Sequence, residues 1–98
     1  MHYADTLRKH RRLAILRYLE QSQEFTSNIS LITDLVNGVG VQSTRDQIAT
    51  EISWLAENGF VSVEDNGGFI VTQATQAGVE IALGRASHPQ IQRRSPGH

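Results

Sequence analysis

The 98-residue chain has no cysteine, two prolines and a single tryptophan. The lack of cysteine excludes disulfides, thiolate metal sites and cysteine nucleophiles, leaving burial, or help from a second chain, to hold the fold. Long apolar runs are missing too. Nothing approaches the roughly 18 apolar residues of a membrane span, and the opening Met1-His2-Tyr3-Ala4-Asp5 lacks the apolar stretch of a signal peptide. A cytoplasmic protein is the expectation. With 39% hydrophobic residues at this length, the chain builds one small domain around a modest core and not two.

Signals of catalysis are absent as well. There is no glycine-rich phosphate loop and no serine set in a nucleophile elbow. His2, His10, His88 and His98 lie at the ends or on the first helix, with no pair at ligand spacing beside an acidic cluster. A chain this short also has little room to enclose a substrate. No catalytic residue, metal ligand or cofactor is expected, and the protein is read as a binding protein.

What is present is charge in blocks. Residues 1–19 carry Arg8, Lys9, Arg11, Arg12 and Arg17 against Asp5, a local charge of +4. Residues 20–84 carry Arg45 against nine acids, a charge of −8, and residues 85–98 add Arg85, Arg93 and Arg94. The overall −1 therefore hides two basic ends around an acidic body. Such runs are either solvated helix faces or contacts to phosphate and acidic partners.

Tyr3 to Gln21 reads as a helix, free of glycine and proline and rich in Leu, Arg, Lys and Ala. Leu13, Ile15, Leu16 and Leu19 form one apolar stripe, and Tyr3, Leu7, Ala14 and Tyr18 gather on nearly the opposite side. That second face is expected either to form the seam of a homodimer or to pack on the C-terminal helix. Gln23 to Ser27 is a short extended link, and Ser27 or Asn28 caps a second helix running to about Val36. Its apolar positions are Leu31, Ile32, Leu35 and Val36, with Asn37-Gly38 as the left-handed stop. Ser43 opens a third helix, with Asp46 completing an arrangement close to a capping box. The inner stripe of that helix is Ile48, Ile52 and Leu55, with Ala49 or Ala56, and Asn58-Gly59 ends it.

From Phe60 the period changes to two. Phe60 to Glu64 and Phe69 to Thr72 flank Asp65-Asn66-Gly67-Gly68, a β-hairpin signal. Thr75 caps a last helix from Gln76 to about Arg85, with Val79, Ile81, Ala82 and Leu83 on its apolar side. Residues 86–98 contain both prolines and no periodicity, and read as a flexible basic tail beyond a domain of residues 1–85.

Three helices followed by a hairpin is the order of a winged helix-turn-helix, a mainly α fold with a β-hairpin (α+β). The junction Leu55-Ala56-Glu57-Asn58-Gly59-Phe60-Val61 and the Thr75-Gln76-Ala77-Gly78 entry resemble segments of ArsR- and MarR-like regulators. Together with Ser43-Thr44-Arg45-Asp46, Trp54-Leu55-Ala56 and Ala82-Leu83-Gly84-Arg85, they resemble a small winged-helix protein of Mu-like phages and prophages across nearly the whole chain. The end of the chain departs from that family's glycine-isoleucine/valine-basic-proline pattern, with Gln90-Ile91-Gln92-Arg93-Arg94-Ser95-Pro96 instead. The phage resemblance implies a setting, the cytoplasm of a bacterial host, more than an activity; the likeness to ArsR- and MarR-like regulators implies a DNA-binding protein, a transcriptional regulator.

In that fold the third helix enters the major groove of double-stranded DNA. Its outward positions are expected to be Thr44, Arg45, Gln47, Thr50, Glu51 and Trp54, with Arg45 suited to guanine and Gln47 to adenine. Ser43 at the helix start and Asn66 on the hairpin tip complete the candidate DNA-contacting set. Against it, this helix carries three acids to one base, and no Arg or Lys lies between Gly59 and Gln76. The rival expectation is a protein-interaction or assembly module with a phage or host protein as partner, using Trp54 and Phe69.

Overall fold

Helix α1 spans Tyr3–Gln21 in the computed structural model, which describes residues 2–95. It is the axis of the core. Ile15, Leu16 and Leu19 have no accessible surface, and each such side chain contributes about 2 kcal/mol through burial. A single 3-10 turn, Gln23–Phe25, leads into a three-residue strand, β1, Thr26–Asn28. Helices α2 (Ile29–Gly38) and α3 (Arg45–Glu57) follow, then strands β2 (Val61–Asn66) and β3 (Phe69–Ala74), and helix α4 (Gln76–Ala82). Among the described residues the result is an α+β fold with four α-helices and an antiparallel sheet ordered β1-β3-β2. Among the described residues no helix is long and apolar enough to cross a membrane.

The expected hairpin forms with a shorter turn: Asp65 and Asn66 belong to β2, Asn66 lies opposite Phe69, and Gly67 and Gly68, both at positive φ, make the connection, as a tight two-residue turn requires. The link before α2 differs from expectation. Thr26–Asn28 pair with Val71–Gln73 and add a third strand to the sheet. Asn28, and not Ser27, caps α2 by accepting from the Leu31 amide at 3.0 Å. Helix α2 continues through Gly38, and the left-handed residue is Gly40 (φ 92°). Its inner side is Ile29, Ile32 and Val36, while Leu31 and Leu35 face outward.

The start of α3 is also one residue later than Ser43. Thr44 Oγ1 accepts from the Gln47 amide at 3.1 Å and Gln47 Oε1 accepts from the Thr44 amide at 2.9 Å, a complete capping box. Ile48, Ile52 and Leu55 are its buried stripe. At the far end Thr75 does three jobs: its amide donates to Phe60 O, its hydroxyl donates to Gly59 O, and that same oxygen accepts from the Gly78 amide. A Cβ on Gly78 would run into the Phe60 carbonyl oxygen and press on Leu16. The Thr75-x-x-Gly78 motif is thus the joint between α4 and the α3–β2 turn.

The segment after α4, expected to hang free, packs back on the domain. Ile91 is buried in the core, His88 lies edge-on to Trp54 (5.3 Å between centroids) and Phe60 (5.6 Å), and the Gln92 amide donates to Lys9 O at 3.1 Å. One isoleucine among polar neighbours suffices, because the amides of Gln90, Ile91 and Gln92 and the carbonyls of His88 and Gln90 also find partners. Residues 96–98, the remainder of the expected tail, lie outside the described residues.

Candidate nucleic-acid interface

Helix α3 meets α1 along a row of three arginines. Arg8, Arg11 and Arg12 are spaced three and four apart, so they share one face of α1. That face looks toward α3, with Arg11 and Arg12 buried and Arg8 at its exposed end. Arg12 Nε donates to Glu51 Oε1 at 2.7 Å, its Nη1 donates to Gln90 O at 2.8 Å, and its guanidinium lies 3.8 Å from the centre of the Trp54 ring. Arg8 approaches the other Glu51 oxygen at 3.6 Å and Asp5 at 3.4 Å. Arg11 donates to Ser43 Oγ at 2.6 Å and to Gln42 O at 3.1 Å. Burial holds the Arg11 guanidinium below its ordinary pKa, with Glu51 opposing that shift and Arg8 adding to it.

These contacts change which α3 residues face outward. Glu51, expected on the surface, is buried and neutralised by Arg12. Trp54 is half-buried, with its ring engaged by Arg12, Phe60 and His88. Thr44, Arg45, Gln47 and Thr50 remain exposed on the first two turns. Arg45 Nη1 donates to Ser30 Oγ of α2 at 3.0 Å, which steadies it across the turn between α2 and α3. Thr50 Oγ1 donates to the Asp46 carbonyl one turn back, a local bond that an incoming acceptor can replace. Ser43 sits in the loop, fixed by Arg11 and by its own bond to Val41 O.

An open cleft of about 370 Å³ runs beside this surface, with Arg8, Arg11 and Arg12 on one wall and Gln47, Thr50 and Trp54 on the other. Ser43, Thr44 and Gln47 line a second cleft with Tyr3 and Leu7. The structure therefore gathers Ser43, Thr44, Arg45, Gln47 and Thr50 at one end of α3. Asn66 is apart from them, exposed at the hairpin tip between Asp65 and the glycine turn. Of the other expected seam, Ala14 and Tyr18 line a groove against α2 while Tyr3 and Leu7 border the second cleft. They face α2 and the loop after it, and not α4. Among the described residues no group of three or more His, Asp or Glu is placed to hold a metal ion.

The arginine row is what the sequence reading missed. Its signal was the spacing of three and four on α1, in phase with the buried Leu16 and Leu19 and opposite an isolated acid on the inner side of α3.

The chain is 37% identical over 92 residues to the uncharacterized protein gp26 of Escherichia phage Mu, covering 94% of this chain and 95% of that protein. It belongs to the gp26 family of phage Mu. An uncharacterized protein of Haemophilus influenzae strain Rd is 31% identical over 77 residues, covering 78% of this chain and 74% of that protein. No family model and no solved structure matches the chain.

Proposed function

We propose that this member of the gp26 family is a winged helix-turn-helix protein that binds double-stranded DNA through the first two turns of α3, as a transcriptional regulator of phage origin. In this reading α2 and α3 are the helix-turn-helix pair and β2–β3 is the wing. The observation that carries it is the burial of Glu51 against Arg12 at 2.7 Å. It withdraws an acid from the face of α3 that would meet phosphate, and leaves Arg45, Gln47, Thr44 and Thr50 outward with Arg8 alongside. These are donor groups suited to base edges and backbone oxygens. Trp54 and Glu51 then serve to seat α3 on α1 and do not read bases.

A titration of fluorescent mixed-sequence duplex at low and moderate salt tests the proposal. Binding should weaken steeply with salt, and Arg45→Ala should cost about 1–3 kcal/mol or reduce the salt slope by about 1, according to whether Arg45 meets a base or a phosphate. No binding at low salt refutes the reading. The second reading, an interaction module that does not bind DNA, is favoured by one feature: the exposed β2 residues Glu64 and Asp65 make the wing acidic, and an acidic hairpin repels phosphate.

A further inference from the structure

We infer that the groove between α1 and α2 is the interface with a second copy of this chain, in which the outer ridge of α2 from each copy seats in the groove of the other. The surface is distinct from the exposed face of α3, and the inference stands whether or not α3 binds DNA.

Three apolar side chains of α2 and its cap, Leu31, Leu35 and Val39, are spaced four apart and are 48%, 42% and 67% exposed. Together they form a stripe left exposed among the described residues, on a helix whose opposite side fills the core. A contiguous apolar patch of this kind marks an association surface. Beside the stripe lies an open groove of about 300 Å³, floored by Leu13, Ala14 and Tyr18 of α1 and walled by Leu35, Val39 and Val41. A cavity of about 150 Å³ already accepts a benzene-sized group, so this groove has room for two side chains the size of Leu35 and Val39. A ridge next to a groove of matching size on the same face is self-complementary, which is the requirement of a two-fold interface.

Charge points the same way. Arg17 lines the groove, and Asp34 is exposed one residue before Leu35 on the ridge. Among the described residues neither has an ion-pair partner, although Arg8, Arg12 and Arg85 all do. Seating the ridge in the groove of a second copy brings the acid of each to the base of the other, twice by symmetry. An acidic patch on an unrelated protein would satisfy Arg17 but leave Asp34 alone. The α1 face with Ala14 and Tyr18 is therefore half of the interface, and α2 supplies the other half.

Sedimentation equilibrium of the full chain measures the association. The wild type should reach twice 10.9 kDa, and Leu35→Glu with Val39→Glu should return it to the monomer with an unchanged far-ultraviolet circular dichroism spectrum, because both positions are exposed in the single chain. Arg17→Glu and Asp34→Arg should each raise the dissociation constant about tenfold, since each sets like charges together at two places. Combining them should restore association to near the wild-type value. A monomer at every concentration up to roughly 1 mM, a dimer that survives the Leu35 and Val39 changes, or a combined variant no tighter than the single ones would overturn the assignment.

Discussion

Replacing Glu51 by glutamine keeps the shape of the side chain and removes its charge from a place where water cannot compensate. The Glu51 and Arg12 side chains are 3% and 8% exposed and joined at 2.7 Å. Removing one member of a buried ion pair costs about 3–5 kcal/mol, because the remaining charge stays buried without its counter-ion. Two features reduce that figure here. The glutamine oxygen still accepts from Arg12 Nε, and Arg12 keeps Gln90 O and the Trp54 ring. A loss of about 2–3 kcal/mol is therefore expected for Glu51→Gln. In a domain of this size that is a sizeable share of a total stability of about 5–15 kcal/mol, and it corresponds to a melting point lower by roughly 10–20 °C. Urea unfolding should show the midpoint falling with the slope unchanged, since little apolar area is lost. The double change of Arg12→Met with Glu51→Leu, which removes both charges, should return stability to near wild type. A loss below about 0.5 kcal/mol for Glu51→Gln, the value of an exposed pair, would refute the buried-pair account.

Ile91→Ala should cost about 2–4 kcal/mol in the same urea experiment, whereas a free tail predicts no change. Gly78→Ala separates helix propensity from packing by its sign: propensity alone gains about 1 kcal/mol, while the collision with the Phe60 carbonyl should cost about 1–3 kcal/mol, read as a lower melting temperature. Thr72 is fully buried and its hydroxyl has no hydrogen-bond partner among the described residues. Thr72→Val should therefore raise stability by about 1 kcal/mol, and a drop in the unfolding midpoint would contradict this.

The elements that were legible in the sequence are those with a local cause. Helix α1 has the predicted ends because nothing from Tyr3 to Gln21 interrupts it, and Thr75 caps α4 because its hydroxyl is positioned next to the amide of Gly78. What depends on distant residues was not legible. Arg12 reads as a solvated cation until Glu51, 39 positions away, is brought against it. Thr26–Asn28 are too few to announce a strand, and acquire one only because β3 has an open edge. Ile91 is a lone apolar residue in a polar stretch, where periodicity has nothing to detect. The face of α3 divides the same way: the exposure of Thr44, Arg45, Gln47 and Thr50 follows from their place at the start of a helix, while the burial of Glu51 depends on Arg12 of α1.

The bond from Arg12 Nη1 to Gln90 O joins residues 78 positions apart, and that separation governs the order in which the molecule can be made. During synthesis α1 emerges with its arginine row while the strand of contacts that covers it is still unbuilt. Helix α3 arrives first and brings Glu51, but Trp54 waits for His88 and the core waits for Ile91. Contacts of such long range slow folding, because the loop must close before it is rewarded. Until residue 91 is free, Arg12 lacks the Gln90 carbonyl and the Trp54 ring, already met by Arg12 and Phe60, lacks its edge contact with His88; the docking of the final segment completes both.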